Sequence, residues 1–161
     1  MTRAYWLAAM MIVAGCSPSN DSISAQMEGH DDYLRTTRQV TDALNRPQGP
    51  DYPAAIRIVE RSHRDPLQQD YDIGNLLLAS CRDSTRACSG ARTARAGMAR
   101  LYRVAMARGD DARIAAGDLS LWFTRGAGPA LLPDPQRAAC WTDVHAGKSP
   151  ASRCPAPGAD R

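Results

Sequence analysis

The sequence predicts an all-α protein built from short antiparallel helical hairpins. Apolar residues recur three and four positions apart in several separate segments, which is the spacing of one helix face. Asp, Gly and Pro residues stand between these segments, where helices begin and end. With 161 residues, 43% of them hydrophobic, the chain is large enough to form one compact core.

Composition excludes one class of partner. The formal net charge is only +3, and 6% of the residues are aromatic, with a single Phe. Nucleic-acid binders combine a strongly basic surface with aromatic side chains on which bases stack. We therefore expect no nucleic-acid partner.

The first fifteen residues have the pattern of a signal peptide. An uncharged, mostly apolar run over residues 4–15 follows a short basic start and is too short to span a bilayer. The run ends in Val13-Ala14-Gly15-Cys16. This ending resembles the lipobox of bacterial lipoproteins, in which an aliphatic and two small residues precede the lipidated cysteine. An ordinary secretory signal followed by a buried cysteine is the alternative.

The lipoprotein resemblance implies a membrane anchor on Cys16. In that family the cysteine becomes the mature N-terminus and carries a diacylglycerol and an amide-linked acyl chain such as palmitate, enough to hold a protein stably on a membrane. Ser17 after the cysteine, rather than Asp, is typical of transfer to the outer membrane of Gram-negative bacteria. Residues 16–28 are polar and turn-rich, which predicts a flexible tether between this anchor and a periplasmic domain.

Six helical segments are expected within a domain over residues 29–146. Asp51 can cap the second segment, and either Asp110 or Asp111 can cap the fifth. The third segment is short enough for a strand, although its flanks favour a helix. The fifth helix is predicted to begin at residue 110 or 111, and the other five are predicted over residues 29–44, 51–65, 73–81, 91–108 and 134–144. Residues 147–161 are predicted to form a Pro-rich, irregular tail.

The fourth segment separates its two faces most clearly. At about 100° per residue, one apolar arc contains Ala91, Ala94, Met98, Leu101, Tyr102 and Ala105. A basic arc lies at the edge of this face and opposite it, and contains Arg92, Arg95, Arg100 and Arg103. Residues 84–161 carry 12 basic and 6 acidic residues, whereas residues 16–83 carry 7 basic and 11 acidic residues. We identify the basic arc as a candidate surface for an acidic protein partner; the lipid phosphates of the membrane and a solvated helix face without a partner are the alternatives.

Four cysteines remain after Cys16. An even number in an oxidising periplasm predicts disulfides, and four cysteines allow three connectivities. Pairing of neighbours along the chain predicts the bonds Cys81–Cys88 and Cys140–Cys154. A zinc site is the alternative, but the cysteines lack Cys-x-x-Cys spacing and the three histidines are scattered. We expect no metal.

A weak internal repeat appears at an offset of 43 residues. This offset aligns Gly74 with Gly117 and Leu76 with Leu119. Residues 99–128 resemble a Sel1-like repeat, a relative of the tetratricopeptide repeat. The matching features are Tyr102, Ala105, Gly109, Gly117, Leu119, Trp122, Phe123, Gly126 and Gly128. The resemblance implies a stack of hairpins that binds proteins; a generic helical bundle is the alternative.

Catalytic motifs are scarce. Glu60 is the only Glu inside the predicted domain and lies among arginines, which favours a solvated charge over a catalytic acid. We expect no enzyme activity and no cofactor.

The sequence therefore predicts a membrane-anchored periplasmic binding protein, either an envelope assembly factor or an immunity or inhibitor lipoprotein. A peptidoglycan-acting envelope enzyme, or its accessory subunit, is the alternative.

Overall fold

The computed structural model describes residues 20–156, with side chains from residue 30 onward. The signal peptide and Cys16 lie outside the described residues. The described chain is all-helical, as predicted, and none of its helices is both long and apolar enough to cross a bilayer. The α-helices are α1 (Asn20–Leu44), α2 (Tyr52–Arg61), α3 (Pro66–Arg82), α4 (Ala91–Ala105), α5 (Asp110–Arg125) and α6 (Pro135–His145), followed by a 3-10 turn at Ala151–Arg153.

Successive helices pack against one another along the chain and alternate in direction. Asp70 near the start of α3 contacts Arg103 near the end of α4, and Arg113 near the start of α5 contacts His145 at the end of α6. We call this end of the bundle the proximal end. The opposite, distal end carries the connections over residues 45–51, 83–90 and 126–134.

The first helix begins nine residues earlier than predicted. It starts at Asn20 rather than residue 29, so much of the segment predicted as a flexible tether, residues 16–28, is helical. The backbone N–H of His63, just after α2, donates to Asp32 at 3.2 Å, and residues 20–31 of α1 precede this contact. α1 therefore enters the bundle from the proximal end.

Aspartates cap three of the helices. Asp51 accepts from the backbone N–H of Ala54 at 2.9 Å, as predicted, and Asp65 and Asp134 cap α3 and α6 in the same way. Pro66 follows the Asp65 cap and starts α3 seven residues before its predicted start, because proline suits the first helical turn.

The predicted caps of α5 are wrong. Neither Asp110 nor Asp111 is the cap; both lie in the first turn, and the capping position is Gly109, with a φ of +104°. A carboxylate in the first turn still favours the helix through its dipole.

Two apolar clusters form the core. The front cluster joins α1, α2 and one face of α3, and its six buried residues are Ala43, Tyr52, Ala55, Val59, Ile73 and Leu76. The back cluster joins the other face of α3 to α4, α5, α6 and the tail; its largest fully buried side chains are Leu78, Met98, Leu101, Leu119, Phe123 and Trp141. α3 is thus the helix shared by both clusters.

Two glycines bring α3 and α4 together. A Cβ atom built on Gly97 would lie 2.9 Å from the backbone oxygen of Gly74 and 2.8 Å from Cγ of Leu78. Gly97 is buried, although it was not placed on the predicted apolar arc, whereas Ala91 of that arc is exposed. The packing face of α4 therefore centres on Ala94, Gly97, Met98, Leu101, Val104 and Ala105.

Both predicted disulfides are present. Cys81–Cys88 ties the end of α3 to the loop that leads into α4, and Cys140–Cys154 ties α6 to the tail. Cys154 is buried, and the 3-10 turn precedes it directly. The first part of the tail, predicted to be irregular, is therefore packed onto the back cluster.

Candidate functional site

The structure divides the basic arc of α4 into two pairs. Arg100 and Arg103 both donate to the carboxylate of Asp70 on α3, at 2.5 and 2.8 Å. Burial acts to raise the pKa of Asp70, but the two arginines together outweigh it and lower the pKa. Arg92 and Arg95 are exposed and have no ion-pair partner among the described residues. Two of the four candidate partner-binding arginines thus hold α4 against α3.

A groove of about 400 Å³ opens between α1 and α3, above α2. Its apolar lining consists of Val40, Leu44, Val59, Leu76 and Ala79. Polar and aromatic side chains complete the walls: Tyr33, Thr37, Thr41, Tyr52, Arg64, Tyr71, Asp72, Asn75 and Arg82. A mainly apolar concavity with a few placed polar groups is the usual form of a binding site.

Asn75 carries the central polar contact of the groove wall. Its side-chain nitrogen donates to Asp118 at 2.9 Å, and its oxygen accepts from the indole N–H of Trp122 at 2.8 Å. The two contacts set the orientation of the amide and link α3 to α5. Asn75 and Asp118 are 43 residues apart, which is the offset of the repeat.

Arg64 closes the proximal end of the groove. Its side chain is only 8% exposed, forms an ion pair with Asp72 and donates to Thr37 at 2.8 Å. The guanidinium also lies 4.5 Å from the centre of the Tyr33 ring. Burial raises the pKa of Asp72, and Arg64 offsets that rise only in part. Arg64 therefore connects α1 to α3 through polar contacts at the proximal end of the groove.

A second set of contacts holds the distal end of the groove. The hydroxyl of Tyr52 donates to Asp83, and burial together with this carboxylate raises the pKa of Tyr52 to about 12. Arg82 donates to the same carboxylate at 2.9 Å and lies over the ring of Trp122. Hydrogen bonds from Arg82 and Tyr52 lower the pKa of Asp83, which stays ionised at neutral pH.

A smaller cavity of about 210 Å³ continues the groove at the proximal end. Tyr33 and Tyr71 line both cavities. Burial and the neighbouring Asp118 carboxylate raise the pKa of Tyr71, so its phenol stays neutral. The mouth exposes Tyr33, Leu67 and Ile114, whose exposed fractions are 46%, 38% and 50%. The two cavities share Tyr33 and Tyr71 and therefore form one continuous concavity with both apolar and polar walls.

The sequence did not single out this site. Tyr33, Thr37 and Val40 were covered only by the helix predicted over residues 29–44, and Arg64 and Asn75 were not singled out for any role. The one available signal was polar: Thr37 and Thr41 stand on an otherwise apolar side of α1, where a fully buried helix would carry apolar residues.

The candidate catalytic residue lies elsewhere. Glu60 is exposed on α2 and does not line the groove. Within residues 30–156, no three side chains of His, Cys, Asp or Glu lie close enough to hold a metal ion.

Comparisons of the chain with protein-family models, with curated proteins and with solved structures found no match.

Proposed function

We propose that this protein is an outer-membrane lipoprotein that holds a protein partner in the periplasm, with a segment of that partner seated in the groove between α1 and α3. The groove is the observation that carries the proposal. It is concave, mainly apolar and lined by polar groups whose orientation is set by contacts such as Asn75 with Trp122. Tyrosines at the mouth, of which Tyr33 is the most exposed, are residue types enriched at protein interfaces.

The lipid anchor is supported by the resemblance of residues 13–16 to a lipobox. Cys16→Ala should move the protein from the membrane fraction to the soluble periplasmic fraction, because the acyl chains supply the membrane affinity. Ser17→Asp should leave the protein lipidated but retain it in the inner membrane. Membrane fractionation after each substitution tests the anchor independently of any partner; an unchanged distribution of Cys16→Ala would refute it.

The groove is tested with two substitutions on the same helix. Thr41 lines the groove, whereas Gln39 is exposed on α1 outside it. Thr41→Arg should fill the groove with a long charged side chain and reduce recovery of a specific partner from cross-linked envelopes at least tenfold. Gln39→Arg should leave recovery unchanged. Equal recovery by both variants would refute the groove as the binding site.

Partner identity separates the two roles within this proposal. A partner that is a toxic envelope enzyme, inhibited when the purified protein is added, indicates an immunity or inhibitor protein. A partner that is a subunit of an envelope complex, and that fails to assemble without this protein, indicates an assembly factor. The enzyme alternative depended on Glu60, whose exposed position outside the groove does not favour it.

We also propose that the α2–α3 and α4–α5 hairpins are two divergent Sel1-like units. The 43-residue offset brings α2 onto α4 and α3 onto α5, and the hydrogen-bonded Asn75 and Asp118 occupy matching positions. Stacked units of this kind bury their apolar faces against each other, which agrees with the shared role of α3 in both clusters.

A further inference from the structure

The distal end of the bundle carries four arginines without ion-pair partners among residues 30–156. Arg86 lies in the α3–α4 loop, Arg92 and Arg95 lie at the start of α4, and Arg125 ends α5. All four are exposed. Arg92 and Arg95 belong to the basic arc predicted on α4. Because the other two arginines of that arc pair with Asp70, only its distal part is available to a partner.

Carboxylates at the same end do not neutralise these arginines. Each of three distal aspartates holds a different arginine, in the pairs Asp51–Arg46, Asp83–Arg82 and Asp134–Arg137. The four remaining arginines outnumber the exposed carboxylate of Asp42 near the end of α1 and leave a net positive surface there, which attracts an acidic partner and increases its association rate.

The same end presents an exposed leucine on a well-ordered loop. Leu132 is 72% exposed, the largest exposed fraction among the large hydrophobic residues described. Its loop is held by hydrogen bonds from the backbone N–H of Ala127 to Leu131 at 2.8 Å and from Asp134 to Phe123 at 2.7 Å. Since the loop is already ordered, presenting Leu132 to a partner costs little conformational entropy.

Two cavities that share the loop residues Ala130 and Leu131 join this leucine to Arg95. One lies between Arg95 and the loop residues Ala130 and Leu131. A wider concavity of about 480 Å³ lies beside Leu132 and is lined by Leu131 and Pro133. We call the four arginines, Leu132 and these cavities the distal surface.

We propose that the distal surface docks an acidic protein surface that has an apolar recess for Leu132. The proposal uses the lipid anchor of the proposed function but not its groove. The anchor leads into α1 from the proximal end, and α5, with 16 residues, separates the two ends by about 24 Å at 1.5 Å per residue. The membrane that carries the lipid therefore lies at the other end of the bundle, and a periplasmic protein is the partner that meets this surface.

Site-specific cross-linking identifies the partner. A photoactivatable residue is placed at Leu132 and, as a matched control, at Leu34, which is 39% exposed on α1 and does not line the groove. We expect one protein to be cross-linked from position 132 and not from position 34. Equal labelling from both positions, or none from 132, would overturn the proposal.

Charge reversal then tests the purified pair, with the mature chain carrying Cys16→Ala. Arg92→Glu with Arg95→Glu should weaken binding at least tenfold, and the affinity of the unsubstituted chain should fall as salt rises. Both arginines are exposed, and acidic residues suit a helix start, so the fold should persist. Arg38→Glu with Arg57→Glu, exposed on α1 and α2, is the control and should bind normally. Equal loss in both double variants, or no loss, would overturn the proposal.

Four further measurements separate the proposal from its rivals. Leu132→Asp should also weaken binding, and an Asp→Arg change on the partner should restore binding to the Glu variants. Thr41→Arg in the groove should leave this binding intact, so failure of the groove proposal and failure of this one give different results. Binding of phosphatidylglycerol vesicles that is lost in the Arg92→Glu, Arg95→Glu chain would overturn the assignment to a protein in favour of an anionic membrane.

Discussion

The front and back regions of the bundle differ in how they are held together. In the back region, seventeen buried residues and two disulfides join α3, α4, α5, α6 and the tail. In the front region, six buried residues and a few polar contacts, among them those of Arg64, hold α1 and α2 to α3. The groove lies in the front region. The comparison indicates that a stable back region supports a less strongly held front region, and binding sites commonly lie in such regions.

The largest expected loss in the free energy of unfolding follows from shortening a buried side chain, and it should differ between the two regions. Trp141 is fully buried in the back cluster and packs edge-to-face on Tyr102, with ring centroids 5.8 Å apart. Trp141→Ala should lower the free energy of unfolding by about 3–5 kcal/mol. Val59→Ala in the front cluster should lower it by about 1.5 kcal/mol, from roughly 0.8 kcal/mol per methylene. Denaturant unfolding measures both, and equal losses would contradict the comparison.

The disulfides should show the next largest effect. Closing longer loops restricts the unfolded chain more, so replacing both cysteines of Cys140–Cys154 by Ala should cost about 3 kcal/mol, and replacing those of Cys81–Cys88 about 2.5 kcal/mol. Thermal unfolding under oxidising conditions measures each loss. Hydrogen exchange should show that removing Cys140–Cys154 exposes the α6 and tail amides while α1 keeps its protection. Loss of protection in α1 would mean that the two regions unfold as one unit.

A smaller effect is expected where α3 crosses α4. Gly97→Ala would place a Cβ atom 2.9 Å from the Gly74 oxygen, so the helices must move apart at a cost of about 1–3 kcal/mol. Gly90→Ala is not a suitable control because its φ is +76°. Ala99→Gly, at an exposed position on the same helix, is a better one and should cost up to about 1 kcal/mol through helix propensity alone. No loss, or a gain, in Gly97→Ala would mean that the crossing tolerates expansion, because alanine is the better helix former.

The smallest expected effect concerns the ion pairs between α3 and α4. Because the folded-state pKa of Asp70 is lowered, its ionised form stabilises the fold above the ordinary pKa of 3.8, and this contribution disappears as pH falls through the folded-state pKa. Asp70→Asn should therefore cost about 1 kcal/mol at pH 7, a modest figure because both arginines are partly exposed. The difference from the unsubstituted chain should vanish once the pH lies below the folded-state pKa of Asp70. A loss that persists there would identify packing, not charge, as the cause.

The sequence alone determined the all-α class, the Asp51 cap and the disulfide pairs. These features depend on interactions between residues close together in the chain: helical periodicity, a side chain bonding to a nearby backbone N–H, and cysteines 7 and 14 residues apart. Its errors were local too. Pro66 starts a helix rather than ending one, because the preceding Asp65 supplies a cap.

Only the tertiary structure decided which charges remain exposed without an ion-pair partner. The sequence grouped Arg92, Arg95, Arg100 and Arg103 into one basic arc, but Asp70 forms ion pairs with the last two and leaves the first two available at the distal end. The groove likewise needs residues that packing brings together from α1, α2 and α3. Periodicity shows which face of a helix is apolar. Ion pairs and concave surfaces form between helices that are distant in the chain, so the neighbouring helices decide which charged side chains are paired inside the fold.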